Sequence, residues 1–154
     1  MDGLFAATPP LEALRLLLSW AATDGSIHPG GARQSQLRKS LLIADVLRAF
    51  FEASAKRDLC VELPEEALAA GETPQDIVGK LKASLYGTRD ASTSWQEEVA
   101  KCMVKWGFEI CKYNPCLFHH LGRKMLCLVH GDDFVCVADA SDLMWLKGQA
   151  RSKI

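Results

Sequence analysis

The chain has no surplus of positive charge: 18 lysines and arginines stand against 19 aspartates and glutamates, leaving a net charge of −1. Affinity for a nucleic-acid backbone comes from clustered Lys and Arg that release counterions, so this balance excludes a strongly basic nucleic-acid module. Any nucleic acid is expected to be held weakly. No apolar run approaches the roughly 20 residues that span a bilayer, and the longest candidate, Leu11 to Ala22, is interrupted by Glu12 and Arg15. No basic segment followed by an apolar one stands near Met1, so a signal peptide is not expected. The expected location is intracellular, most simply cytoplasmic, with no membrane partner. The six cysteines, at 60, 102, 111, 116, 127 and 136, contain no C-x-x-C pair, and buried free thiols are their default state. Cys111, Cys116, His119 and His120 cluster in sequence, but their spacing fits none of the common zinc fingers, and a satisfied hairpin surface is the expected outcome. There is no internal repeat.

A chain of 154 residues, 49% hydrophobic and 24% charged, can bury one core, and a single domain over residues 1–154 is expected. A helix is predicted from about Pro9 to Thr23, capped by Thr8 with proline in its first turn. Residues 25–36, rich in Gly, Ser and Gln, read as a flexible loop. Strands are predicted at Leu41 to Asp45, Leu59 to Leu63, Val78 to Ser84, Phe108 to Cys111 and Cys116 to His120. A helix from about Ser94 to Trp106 sets Trp95, Val99, Cys102, Met103 and Trp106 on one face, with Ser94 and Glu97 as a capping box. A last helix is predicted over Ser141 to Gln149. The fold class these elements predict is α+β, an antiparallel sheet with helices packed on one face.

The richest stretch is Met125 to Ala138. Leu126 to Val129 and Phe134 to Ala138 have the composition of strands covered on both faces, and Gly131 beside aspartate suits a tight turn. A buried hairpin thus carries Asp132 and Asp133 at its tip. Leu41-Leu-Ile-Ala-Asp45 repeats the device, an apolar strand ending on a carboxylate. If the three converge, two unit charges about 5 Å apart repel by roughly 3 kcal/mol at an effective dielectric near 20, and a cation is needed to keep them ionised. Carboxylates with substrate phosphates are the usual ligands of Mg²⁺, and two such ions can clamp an in-line phosphoryl displacement. The candidate chemistry is nucleotidyl transfer.

Taken in order, these blocks resemble the reverse transcriptase of copia-type LTR retrotransposons. Thr8-Pro-Pro-Leu-Glu-Ala-Leu-Arg-Leu-Leu-Leu18 is similar to the helix before the family's first catalytic strand, Asp45-Val-Leu-Arg-Ala-Phe-Phe51 to its first-aspartate motif, and Val61-Glu-Leu-Pro64 to the strand and proline next in the family's order. Ser84-Leu-Tyr-Gly-Thr-Arg-Asp-Ala91 with Trp95, then Gly107-Phe108 and Asn114-Pro-Cys-Leu-Phe118, resemble the next blocks, and Asp132-Asp133 the double-aspartate motif. The resemblance implies a polymerase palm in which Asp45, Asp132 and Asp133 are the catalytic carboxylates that hold Mg²⁺ or Mn²⁺. It implies that Phe50 screens out the ribose 2′-hydroxyl and that Tyr86, Gly87 and Arg89 line the incoming nucleotide. Its partners would be an RNA or DNA template-primer, deoxynucleotide triphosphates and the remainder of a Pol polyprotein. Fingers, thumb and RNase H portions would lie outside this chain, which alone should not extend a primer.

The chain departs from the family pattern at two places. His130 and Gly131 stand where Tyr and an apolar residue are usual, which should loosen the hairpin's packing. Arg89-Asp90-Ala91-Ser92 puts a carboxylate where an amide is usual. A core ring is the competing reading for Phe50, and a solvated cation for Arg89. Two other functions stay open: an inert remnant of a decayed retroelement, and a non-catalytic nucleic-acid-binding module that reads RNA through aromatics on an antiparallel sheet. The strands' Leu, Cys and Val disfavour the latter.

Overall fold

The computed structural model describes residues 6–22, 39–71, 73 and 77–152; the predicted loop at 25–36 lies outside them. Helix α1 is Leu11–Ala22. It starts at Leu11, not Pro9, because a proline ring disfavours the α region for the residue before it, and Pro9 precedes Pro10. Strand β1, Ser40–Asp45, leads into a tight 3₁₀ turn at Ala49–Glu52. Strands β2 (Cys60–Glu62) and β3 (Val78–Lys80) pair antiparallel as a small separate ribbon. The strand expected through Ser84 therefore ends early, although Ala55 N still donates to Lys82 O at 3.0 Å and Ser84 N to Ala53 O at 2.7 Å. Then come α2 (Ala91–Lys105), β4 (Glu109–Ile110), β5 (Leu117–His120), β6 (Met125–His130), β7 (Asp133–Ala138) and α3 (Ala140–Arg151).

The main sheet has the order β1-β7-β6-β5-β4, with every neighbouring pair antiparallel. The fold class is thus α+β, as expected. The helices, however, do not share one face. Met125, Cys127, Val129, Phe134, Cys136 and Ala138 pack with Trp95, Val99 and Met103 of α2 and with Leu143 and Leu146 of α3. Leu128 and Val137, which point the other way, pack with Ala13 and Leu17 of α1. The central strands are apolar on both faces from Met125 to Val129 and from Phe134 to Ala138, so each face needs its own cover, and α1 supplies the second one.

Helix α2 begins at Ala91, three residues before the expected start, and this removes the capping box. Ser94 sits inside the helix at 4% exposure with its hydroxyl unpartnered among the described residues. Glu97 pairs with Lys56 instead. The start is anchored from outside by Arg57, whose guanidinium donates to Asp90 at 2.8 Å. The aromatic face of α2 is core, as read from its spacing. None of the six cysteines, all among the described residues, is in a disulfide. Cys127 and Cys136 are cross-strand partners, and burial, with Cys136 alongside, pushes the Cys127 thiol well above its ordinary range. Among the described residues no helix is long and apolar enough to cross a membrane.

Candidate active site

The β6–β7 hairpin closes on His130↔Asp133, leaving Gly131 and Asp132 as a two-residue loop. Gly131 has φ +60° and Asp132 is not among the positive-φ residues, the signature of a type II′ turn with glycine at its first central position. Gly131 therefore fits the backbone of this turn, as expected for a glycine beside aspartate. A side chain there would have open space but a backbone that L-residues rarely adopt. The loop is held from two sides: the buried Trp95 indole donates to Gly131 O at 2.7 Å, and Val46 N donates to Asp132 O at 3.0 Å.

That second bond fixes the relation of the acids. It flanks the pair Asp45↔Asp133, which makes this a non-hydrogen-bonded pair of the β1–β7 ladder, the closer of the two kinds. Asp45 and Asp133 thus stand opposite each other on one face, about 4.5–5.5 Å apart at Cβ by strand geometry, with Asp132 one residue away in the turn. Asp45 and Asp133 are exposed and Asp132 is half-buried. None of the three is ion-paired to a described residue. The backbone brings all three to one end of the sheet, yet among the described residues no group of three or more His, Cys, Asp or Glu side chains converges closely enough to hold a metal ion. Two carboxylates are juxtaposed, and the third is adjacent without closing the set.

The second cluster expected from sequence also assembles in part. Phe50 meets Tyr86 with ring centroids 4.3 Å apart at 35°, and Phe51 meets the same ring edge-on at 5.8 Å. Two local devices make this possible. Arg48, at φ +58°, turns the chain after β1 into the 3₁₀ turn, whose Ala49, with Ala53 just beyond the turn, is buried in the core that α2 shares. Leu85 to Thr88 forms a turn closed by Thr88 N to Leu85 O at 3.0 Å, with Gly87 at φ +85° as a type II turn requires. Phe50 is half-buried, which leaves part of its ring accessible beside exposed Tyr86. Arg89 is exposed and pairs with no described acid. Asp90, the second departure, is absorbed by Arg57: that hydrogen bond, more than the charge alone, holds the Asp90 carboxyl below its usual range.

Cys111, Cys116, His119 and His120 do not form a zinc site. His119 Nε2 faces Glu109 at 3.3 Å, His120 Nδ1 accepts from Arg123 N at 3.3 Å, and the buried Cys116 thiol donates to Ala7 O at 3.2 Å. Beside the acids, a cleft of about 500 Å³ runs along β1 from Leu42 to Leu47, walled by Trp106, Leu146, Lys147 and Arg151. Sequence reasoning missed Trp95 as the support of the acidic turn. The available signal was that a buried indole N–H needs an acceptor. Compared with protein-family models, curated proteins and solved structures, the chain gives no significant match.

Proposed function

We propose that the chain is the palm region, a partial domain, of a copia-type retrotransposon reverse transcriptase, an RNA-directed DNA polymerase working on a template-primer and deoxynucleotide triphosphates. The observation that carries the reading is the register: two strand-end motifs far apart in sequence set Asp45 directly opposite Asp133, with Asp132 tied to the same corner through Val46. A structural turn has no need of a second strand that ends on an unpaired carboxylate at the same point, because like charges directly opposite are destabilising. The Phe50–Tyr86 contact supports it further, since the resemblance gives both residues to the nucleotide site.

The donor set is all carboxylate oxygen, which suits Mg²⁺ or Mn²⁺, held by Asp45, Asp132 and Asp133. Their present spacing requires side-chain movement to close on one ion. Bound there, a pair of divalent cations supplies charge stabilisation to the attacking and leaving oxygens of nucleotidyl transfer. The chain's own contribution is placement: Trp95 and Val46 fix the turn, and the Phe50–Tyr86 stack offers an apolar wall to a sugar or base.

The test is thermal unfolding with and without millimolar Mn²⁺. An ion that binds only the folded chain stabilises it by about 1.4 kcal/mol at tenfold its Kd. Asp133→Asn should be more stable than the parent without metal, by relief of the Asp45 repulsion, and should lose most of the metal response. Glu66→Gln serves as the surface control; Asp142 is unsuitable because it accepts from Arg123 at 2.6 Å. A further rise when a deoxynucleotide triphosphate joins the Mn²⁺, absent in Phe50→Ala, is expected for the nucleotide site. Equal metal responses in parent, Asp133→Asn and Glu66→Gln would overturn the reading.

A further inference from the structure

Strand β1 lies at the edge of the sheet, and its outer side is unpaired among the described residues. Because Asp45↔Asp133 is a non-hydrogen-bonded pair, the N–H and C=O groups of Asp45, and by alternation those of Ile43 and Leu41, point away from β7 to this open side. Edge strands in soluble proteins are usually protected by proline, bulges or central charges. Ser40–Asp45 has none of these. Its Ile43 is 68% exposed and Leu41 40%, and the cleft of about 500 Å³ opens beside Leu42 on the other face.

We propose that this edge docks a second copy of the chain, β1 against β1 antiparallel, centred on Leu42. The sequence is self-complementary in that register alone. Leu41 then lies opposite Ile43 of the other copy, Ser40 opposite Ala44, and Lys39 opposite Asp45, each pair occurring twice. Centring on Leu41 would set Lys39 against Ile43, and centring on Ile43 would set Leu41 against Asp45. The hydrogen bonding also agrees, since Leu41 and Ile43 both direct their backbone groups outward and would exchange them as a hydrogen-bonded pair. Leu42 of each copy meets the other beside the clefts. In the single copy the Lys39 ammonium is turned inward, on Asp139 at 3.0 Å and Lys124 O at 3.4 Å and over the Trp20 ring, so the side chain swings outward to meet Asp45 of the other copy. The inference stands on the edge and its residues and does not depend on the polymerase reading.

The experiment is sedimentation of the full 154-residue chain from about 1 µM to about 1 mM. A monomer–dimer equilibrium is expected, weakened at least about tenfold by Ile43→Lys, an exposed position where folding is unaffected. Asp45→Lys and Lys39→Glu should each weaken dimers alone, by setting like charges opposite, and the two mixed should form a heterodimer with both charge pairs restored. Melting curves report whether each variant folds; if Lys39→Glu does not, the Ile43→Lys comparison decides. A monomer at every concentration, a dimer indifferent to Ile43→Lys, or folded charge variants that fail to pair would each overturn the proposal. A monomeric parent that binds a strand of another sequence at this edge would overturn it as well.

Discussion

Replacing Trp95 by Phe isolates what the indole does for the acidic turn. Trp95 is 1% exposed and donates to Gly131 O at 2.7 Å, so Phe keeps an aromatic ring in the core but leaves that carbonyl without its partner. Gly131 is half-buried, so the unpaired carbonyl costs about 1–2 kcal/mol, the lower part of the range for a buried acceptor. The smaller ring adds about 1–2 kcal/mol for lost area and an incompletely filled space. The expected destabilisation is about 2–4 kcal/mol, read from urea unfolding. Trp106→Phe provides the comparison, because Trp106 lies in the same core and its indole bonds to no described residue. It should cost only the ring, about 1–2 kcal/mol. Hydrogen exchange locates the difference: the Val46 amide, which donates to Asp132 O across the turn, should exchange roughly tenfold faster in Trp95→Phe relative to Trp106→Phe, after allowance for global stability. Equal costs for the two variants, or unchanged Val46 exchange, would refute the view that Trp95 holds the turn.

Two glycines with open space should respond oppositely to alanine. Gly131→Ala meets no atom but must hold φ near +60°, and should cost about 1–2 kcal/mol, whereas Gly148→Ala, within α3 and equally open, should stabilise by about 0.5–1 kcal/mol; thermal melts of both check the signs. Asp90→Asn should lose a small stabilisation at neutral pH. Because Arg57 lowers the Asp90 carboxyl in the folded chain, its contribution is fully present above the unfolded value of about 4 and fades as the pH falls through the lower folded one. The gap between parent and variant should therefore stay constant from neutral pH to about 5 and close below about 4, and a gap that widened in acid would refute the assignment.

How much was legible in the sequence depended on whether a signal was local. The β6–β7 hairpin, the strand ending on Asp45 and the buried face of α2 are set by periodicity and turn chemistry within a few residues of one another. The cover of the second sheet face by α1 is not, because an amphipathic helix shows that it needs a partner without showing which side of a sheet supplies it. Gly131 was legible as a turn glycine from its place beside aspartate, and its backbone angle agrees. The start of α2 was misjudged because Ser94 and Glu97 have the spacing of a cap, while Asp90 receives a guanidinium from Arg57, a residue 33 positions away. The Phe50–Tyr86 contact was implicit only in the resemblance. Its physical cause, the pairing of residues 53–55 with 82–84, joins segments with no shared local signal.

The wide sequence separation of β1 from its partner strand has a consequence for the order in which the molecule forms. The hairpin and the α2 indole that braces it lie 36 residues apart, whereas Lys39, at the entry to β1, reaches Asp139 across 100. Closing the longer loop costs more entropy, so the hairpin with α2 and α3 is the natural nucleus and β1 docks afterwards. The Asp45–Asp133 repulsion then arises only on the native side of the barrier, where it speeds unfolding and leaves the folding rate nearly untouched. The acidic corner would be the last part of the sheet to assemble and the first to open.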